Sequence, residues 1–395
     1  MAAAPRAAEI SIEYSHSTAA PERTCPAWAE IDLDALARNY DRLKGLVGAD
    51  RQIIVPVKAN GYGHGATAVA QCLAGRGAYA VETASLTEAL AIRESGNPVR
   101  IVAYPGNLAA DVRTLLRNDI TPTVVDLLGA QIVSRAALRS TAIHVKVDAG
   151  LGRLGLPLDL AEDIIMKMSA LPNVTIEGLY THVPFSDMGH AVWAESRVRA
   201  FEALVQRLLR RGLKLHVTQA RASSHVVANI GDSLTAVCAG HFLYGLRPFS
   251  SHETIDFPAE SVLRAIRARL IQVRSTASDE TRRDGNPYGG NYQGVGRTGV
   301  LQIGRANGIR RPIRDEVAHV LVAGRFARII SVSLEYTVID LTGHPDVSPG
   351  DVATLLGEDS GAALHLERVA KHEEGSPLDF CIGLRDLEFW YRGGK

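Results

Sequence analysis

The chain is poor in cysteine, carries no net charge and has no long apolar run, and each absence excludes something. Its four cysteines, Cys25, Cys72, Cys238 and Cys381, are scattered over 395 residues with no CxxC pair. Neither a disulfide framework nor a metal site is therefore expected, and a reducing cytoplasm is the expected compartment. Lys+Arg and Asp+Glu stand at 43 each, which gives no reason to expect a nucleic-acid or anionic-membrane partner. No stretch is apolar for long enough to cross a bilayer. Residues 1–26 lack the charged start and continuous apolar region of a secretory signal. Rich in Ala, Ser and Pro, they are expected to form a flexible tail or a surface arm.

What is present is an alternation on the scale of domains. "QIIVPVKAN", "AYAVETA", "VRIVAYP", "ITPTVVD", "AIHVKVDAG", "NVTIEGLYTH", "LKLHVTQA" and "LTAVCAGHFLYG" read as strands. They are apolar throughout rather than alternately, as strands buried on both faces are. Between them lie helical stretches such as "GATAVAQCLAG", with Gly75 as a C-cap, and "SLTEALAIRESG", opening on a capping box from Ser85 to Glu88. "AESRVRAFEALVQRLLRRG" is strongly amphipathic. About eight such units predict an α/β fold, a (β/α)8 TIM barrel over residues 27–258. Residues 259–395 change character, with Gly- and Pro-punctuated apolar runs and few helices beyond "GAALHLERVAKHE", and predict a second, mostly β domain.

In a parallel barrel the chemistry gathers where strands end. "VPVKANGYGHG", residues 55–65, puts Lys58 at such an end, before a glycine-rich loop. A buried lysine there can attack a carbonyl and hold it covalently; a surface lysine that merely begins a loop is the alternative. The segment resembles the pyridoxal-phosphate (PLP) lysine motif of the alanine racemases, fold-type III PLP enzymes. The resemblance continues in order through "AEIDLDALARNY", "VKVDAGLGRLG", "LYTHVPFSD", "RASSHVV", "CAGHFLYGL" and "NPYGGNY".

That resemblance implies an isomerase, an amino-acid racemase or epimerase working as a homodimer with shared active sites. It implies that Lys58 carries the cofactor and serves as one catalytic base, and that Tyr288, reaching the opposite subunit, is the other. It implies Arg153 on the substrate carboxylate with Lys146 steadying it, and His182 nearby. Tyr62, Ser224, Gly240 and His241 are implied around the phosphate, where oriented N–H groups bind anions. Taken singly, His182 and Tyr288 read as well as packing residues, Ser224 as a helix N-cap and Arg153 as a surface arginine.

The pattern also departs from the family. Cys238 stands where the family has an arginine opposite the pyridine nitrogen, so the ring electronics are expected to differ, the thiol donating weakly or ionising. Leu384 replaces a phosphate-contacting tyrosine, and Arg305 in "IGRANG" replaces a tyrosine at the substrate entrance. A family Met-Asp segment has only Leu334 and Glu335 as a match. The substrate is therefore expected not to be simply alanine. The alternative is another PLP-dependent reaction at the α-carbon, such as aldol cleavage or transfer, decarboxylation or β-elimination. A PLP-binding protein without turnover is a further one.

Overall fold

The structure is a computed structural model that describes residues 25–104, 109–250, 255–275, 292–310, 317–372 and 375–394. The expected N-terminal tail, apart from its last two residues, and Tyr288 lie outside the described residues.

Eight parallel strands close into a barrel: β2 (Gln52–Pro56), β3 (Ala80–Thr83), β4 (Ile101–Ala103), β5 (Ile120–Val124), β6 (Thr141–Asp148), β8 (Val174–Tyr180), β9 (Val217–Gln219) and β10 (Ala236–Val237). Neighbours pair in that order, and β10 pairs with β2 to complete the ring. A two-residue strand, β7 (Leu156–Pro157), lies beside β6. The strands are buried on both faces, as apolar runs such as residues 53–56 of β2 and Ile101–Ala103 of β4 require, and β3 is buried throughout although it carries Glu82 and Thr83. The last strand is shorter than its sequence suggests. After Val237 the segment "GHFLYG" turns into a short helix, Gly240–Leu243.

The helices cover the outside. Ser85 caps the helix Leu86–Glu94 by accepting from the Glu88 N–H at 3.2 Å. Only half of the expected capping box forms, because the Glu88 carboxylate turns away to the Lys58 loop. Gly75 does not adopt the left-handed geometry of a glycine C-cap; its φ is −62°. The helix Leu33–Val47 is tied across the chain by buried Asn39, whose amide donates to the carbonyls of Leu243 (3.0 Å) and Glu260 (2.7 Å). Its Oδ1 accepts from the Glu260 N–H at 2.8 Å. Asn39→Ala strands these backbone groups and is expected to cost about 2–3 kcal/mol, read as a lowered denaturant midpoint.

The second domain is β-rich, as expected. Six strands form a closed antiparallel ring: β11 (Leu263–Ser275), β12 (Arg297–Leu301), β15 (Thr337–Asp340), β14 (Arg325–Val332), β13 (His319–Val322) and β16 (Val352–Asp359), which returns to β11. Strand β17 (Ala362–Leu364) extends β16, and "GAALHLERVAKHE" divides into this strand and a helix, Leu366–His372.

Both ends of the described chain join this sheet. Strand β1 (Ala27–Asp32) pairs with β11 on one side and with β18 (Glu388–Arg392) on the other. The expected boundaries, which put residue 27 onward in the barrel, thus leave β1 on the wrong side. Its position between two strands explains its burial: Trp28 stacks on Trp390 at 4.3 Å, and buried Glu30 is paired with Arg267 (2.9 Å) and Arg392 (2.8 Å). No helix among the described residues is long and apolar enough to cross a membrane.

Candidate active site

One cavity of about 710 Å³ opens at the C-terminal ends of the barrel strands and is lined by Lys58, Glu82, Tyr104, Lys146, Arg153, His182, Ser224, Cys238, Gly240 and His241, among others. These ten expected or newly found residues thus share one space, although they come from seven different strand ends.

Lys58 begins a turn of unusual hand. Ala59, Asn60, Gly61 and Tyr62 all have φ between +53° and +63°, a single left-handed helical turn. For residues with a Cβ such backbone costs about 1–2 kcal/mol each, so the surroundings must hold it. They do so with hydrogen bonds. Gly61 N–H donates to the Val57 carbonyl at 2.7 Å, and Gly65 N–H to the Asn60 carbonyl at 2.8 Å. Asn60 N–H donates to Glu88 Oε1 at 2.7 Å, and the Thr83 hydroxyl donates to the other Glu88 oxygen. Asn60 Oδ1 accepts from Ala66 N–H at 3.0 Å, capping a helix whose own N-cap is a glycine. The turn delivers the Lys58 side chain to the cavity, half-buried rather than fully buried. Its Nζ lies 5.3 Å from the centre of the Tyr104 ring and 5.9 Å from that of Tyr62.

A set of donors lines the same cavity, close to the lysine, as the 5.9 Å from Lys58 Nζ to the Tyr62 ring shows. Tyr62 stacks on Tyr244 at 4.9 Å, and the Tyr244 hydroxyl donates to the Pro56 carbonyl at 2.9 Å. This pins the Tyr62 hydroxyl beside Gly240, where a Cβ would stand 2.7 Å from that oxygen and 2.8 Å from Pro56 Cγ. Only glycine leaves the cradle open. The first-turn N–H groups of Gly240 and His241 have no acceptor within their own helix. Ser224 Oγ accepts from Phe185 N–H at 3.3 Å, which leaves its own proton to donate. Among the described residues no carboxylate lines this end, and Glu82 is the one acidic residue around the cavity. A lysine beside a carboxylate-free donor cradle fits an aldehyde bearing a phosphate.

The cations gather on a third side. Lys146 is buried, with Nζ 4.7 Å from the centre of the Tyr180 ring. Burial, with the charges of Arg153 and Lys58, lowers it to about 8, against attraction from Glu82. Arg153 is exposed at the rim, its N–H held by Asp148 at 3.0 Å. His182 is pushed down to about 3 by burial and by the cations Lys58, Lys146 and Arg153, so it is a neutral imidazole at physiological pH.

Two expectations change. Cys238 does not ionise: burial and then the Glu82 charge raise the thiol well above its ordinary value, and Sγ donates to Glu82 Oε2 at 3.6 Å. Arg305 does not line the cavity of its own chain. It begins an exposed turn, Arg305–Asn307, against the loop of Leu334 and Glu335: Arg305 N–H donates to the Ser333 carbonyl at 3.0 Å, and Ala306 N–H to that of Leu334 at 2.8 Å. The two odd segments of the sequence are therefore neighbours. Leu384 is buried in the core, and the cavity wall receives Leu378 and Ile382 from a helix, Pro377–Gly383, instead. The sequence reading missed Glu82 and Tyr104. The signal for the first was there, a lone charge inside the otherwise apolar strand of "AYAVETA".

A closed (β/α)8 barrel with a lysine at its mouth, a donor cradle near it and a β domain against them has the architecture of the fold-type III PLP enzymes. Residues 31–248 match the family model for the alanine racemase N-terminal domain, and residues 264–386 that for the C-terminal domain. The chain is 30% identical to an alanine racemase of Desulfosudis oleivorans over 359 residues, 87% of this chain and 90% of that one. It is 31% identical to one of Clostridium perfringens over 344 residues, 85% and 87% of the two chains. Among solved structures, alanine racemase from Bacillus anthracis with bound L-Ala-P superimposes with a TM-score of 0.82 at 23% identity, covering 94% of this chain and 97% of that one. That of Streptomyces lavendulae gives 0.78 at 25%, covering 95% and 99%. The chain belongs to the alanine racemase family and is a PLP-dependent isomerase of the racemase class.

Proposed function

We propose that the protein racemises or epimerises an amino acid other than, or in addition to, alanine, by proton transfer between two bases on opposite faces of the α-carbon. The carrying observation is the cavity itself, with Lys58 beside a cradle that only glycine at position 240 leaves open.

When bound, PLP supplies a sink for the electron pair left at the substrate α-carbon. Lys58 would hold its aldehyde. Ser224, Tyr62 and the Gly240 and His241 amides would hold its phosphate. The Lys58 amine would also take or return the α-proton on one face. Arg153 binds the substrate carboxylate, and Lys146 and neutral His182 set its position. Tyr288, from a second copy, serves the other face; cations such as Arg153 favour its phenolate. The homodimer follows from that assignment. Arg305 and the Leu334–Glu335 loop then belong to the wall of the partner's cavity, where a guanidinium suits a substrate with a second carboxylate. Four free cysteines suit a reducing cytoplasm.

The test is proton NMR of the PLP-loaded protein in D2O with a panel of L- and D-amino acids, acidic and hydroxylated ones included. Loss of the α-proton signal together with appearance of the other enantiomer is the expected result. Exchange with retained configuration, or loss of substrate carbon, sinks the two-base reading.

A further inference from the structure

The polar floor of the cavity is built around Glu82, and no role assigned above uses it. Its Oε2 accepts from the Tyr104 hydroxyl at 2.6 Å and from Cys238 Sγ at 3.6 Å, while Oε1 accepts from no described residue. The residue is buried, 2% exposed, yet lines the cavity. It is not the counter-ion of a neighbouring lysine: neither Lys58 nor Lys146 comes within salt-bridge distance of it among the described residues. A buried carboxylate with one oxygen unpartnered is costly unless something in the cavity donates to it.

The cofactor placement proposed above says what that donor is. In PLP the aldehyde carbon and the ring nitrogen lie across the ring from each other, and the phosphate arm is next to the aldehyde. With the aldehyde at Lys58 and the phosphate at Gly240 and His241, the nitrogen is left for the remaining side, where Cys238 and Glu82 meet.

We propose that Glu82, braced by Tyr104 and Cys238, accepts a hydrogen bond from the protonated ring nitrogen of PLP and so puts a carboxylate where the family pattern has an arginine. The inference rests on the cofactor reading and adds a cofactor-binding residue to it. The signs are opposite. An arginine only donates and leaves the nitrogen unprotonated, whereas a carboxylate only accepts and keeps the proton there. Burial raises the Glu82 carboxyl, with Tyr104, Lys58, Lys146 and Cys238 pulling it back; facing the nitrogen, the two groups share one proton between them. A protonated ring draws more charge from the α-carbon, which favours reactions beyond proton return to the same two faces.

The experiment uses the holoenzyme reconstituted with PLP carrying nitrogen-15 in the ring, and with the 1-deaza analogue, in which CH replaces that nitrogen. Borohydride reduction followed by peptide mapping first fixes where the cofactor sits. The wild type is expected to show a protonated ring nitrogen and to hold PLP about ten- to a hundredfold more tightly than the deaza analogue. Glu82→Gln is expected to move the nitrogen signal toward the unprotonated value and to bring the two affinities within about threefold. A role for Glu82 as a mere structural charge weakens both ligands alike and leaves the nitrogen signal in place, which overturns the proposal. An unprotonated nitrogen in the wild type overturns it without any variant, so a Glu82→Gln protein that does not fold leaves the question decidable. Cofactor fixed at a residue other than Lys58 overturns the cofactor reading, and the inference with it.

Discussion

Lys58→Ala is expected to abolish the lysine-linked absorption of bound PLP and to lower α-proton exchange by about 10³–10⁴-fold for the enantiomer whose α-hydrogen faces Lys58, the scale of a lost positioned base. Tyr288→Phe is expected to behave differently. It leaves the cofactor on Lys58 and preserves the absorption. Exchange in D2O then survives for the enantiomer whose α-hydrogen faces Lys58, with configuration retained, while interconversion of the enantiomers falls by a similar factor. The contrast follows from geometry. One base on one face can remove and return a proton, but inversion needs a second base on the other. Added small amines test the first half, since an amine small enough to enter the space left by Lys58→Ala restores exchange if the amine function is what was lost. Equal loss of exchange for both enantiomers in Tyr288→Phe would remove the two-base reading, because it would place Tyr288 upstream of either proton transfer.

The sequence shows the barrel well because the physics behind it is local. A strand buried on both faces must be apolar at consecutive positions, as residues 53–56 of β2 and Ile101–Ala103 of β4 are. It shows the boundaries poorly because those depend on distant pairing. Nothing in "AWAEID" says that it joins β11 and β18 rather than the barrel, since a central strand of either sheet reads the same. The motif residues around Lys58, Arg153, Ser224 and Gly240 were legible through their ordered spacing, and the structure brings them to one cavity. Glu82 was not, because its meaning comes from Tyr104 and Cys238, residues 22 and 156 positions away in the chain. Arg305 was legible as an anomaly but not in position: a single chain puts it on a turn outside the cavity, and the role proposed for it would need a second copy.

The glycines of "KANGYGHG" carry the last prediction, because they join the lysine to the second domain. Gly63 has φ +82°, and a Cβ there would stand 2.0 Å from the carbonyl oxygen of Cys381 and 2.6 Å from its carbon. Those atoms are backbone of the helix Pro377–Gly383 and cannot swing aside. Gly65, at φ +93°, would bring its Cβ 1.9 Å from the hydroxyl of Tyr391, the far end of a side chain that can. Gly65→Ala is therefore expected to cost about 1–2 kcal/mol, mostly backbone strain. Gly63→Ala adds overpacking of about 1–3 kcal/mol, for a total of about 2–5 kcal/mol. The loss should not stay in stability. The displaced helix carries Leu378 and Ile382, which wall the cavity, so Gly63→Ala is expected to loosen PLP as well as lower the melting temperature. Gly65→Ala should lower the melting temperature with PLP affinity nearly unchanged. Thermal melts of the apo proteins beside PLP titrations separate the two effects. Equal PLP affinity in both variants would mean that the second domain covers the lysine turn without setting the cofactor site. Weakening confined to Gly63→Ala would make the packing of that helix on the turn the reason the β domain is needed for a site built almost entirely by the barrel.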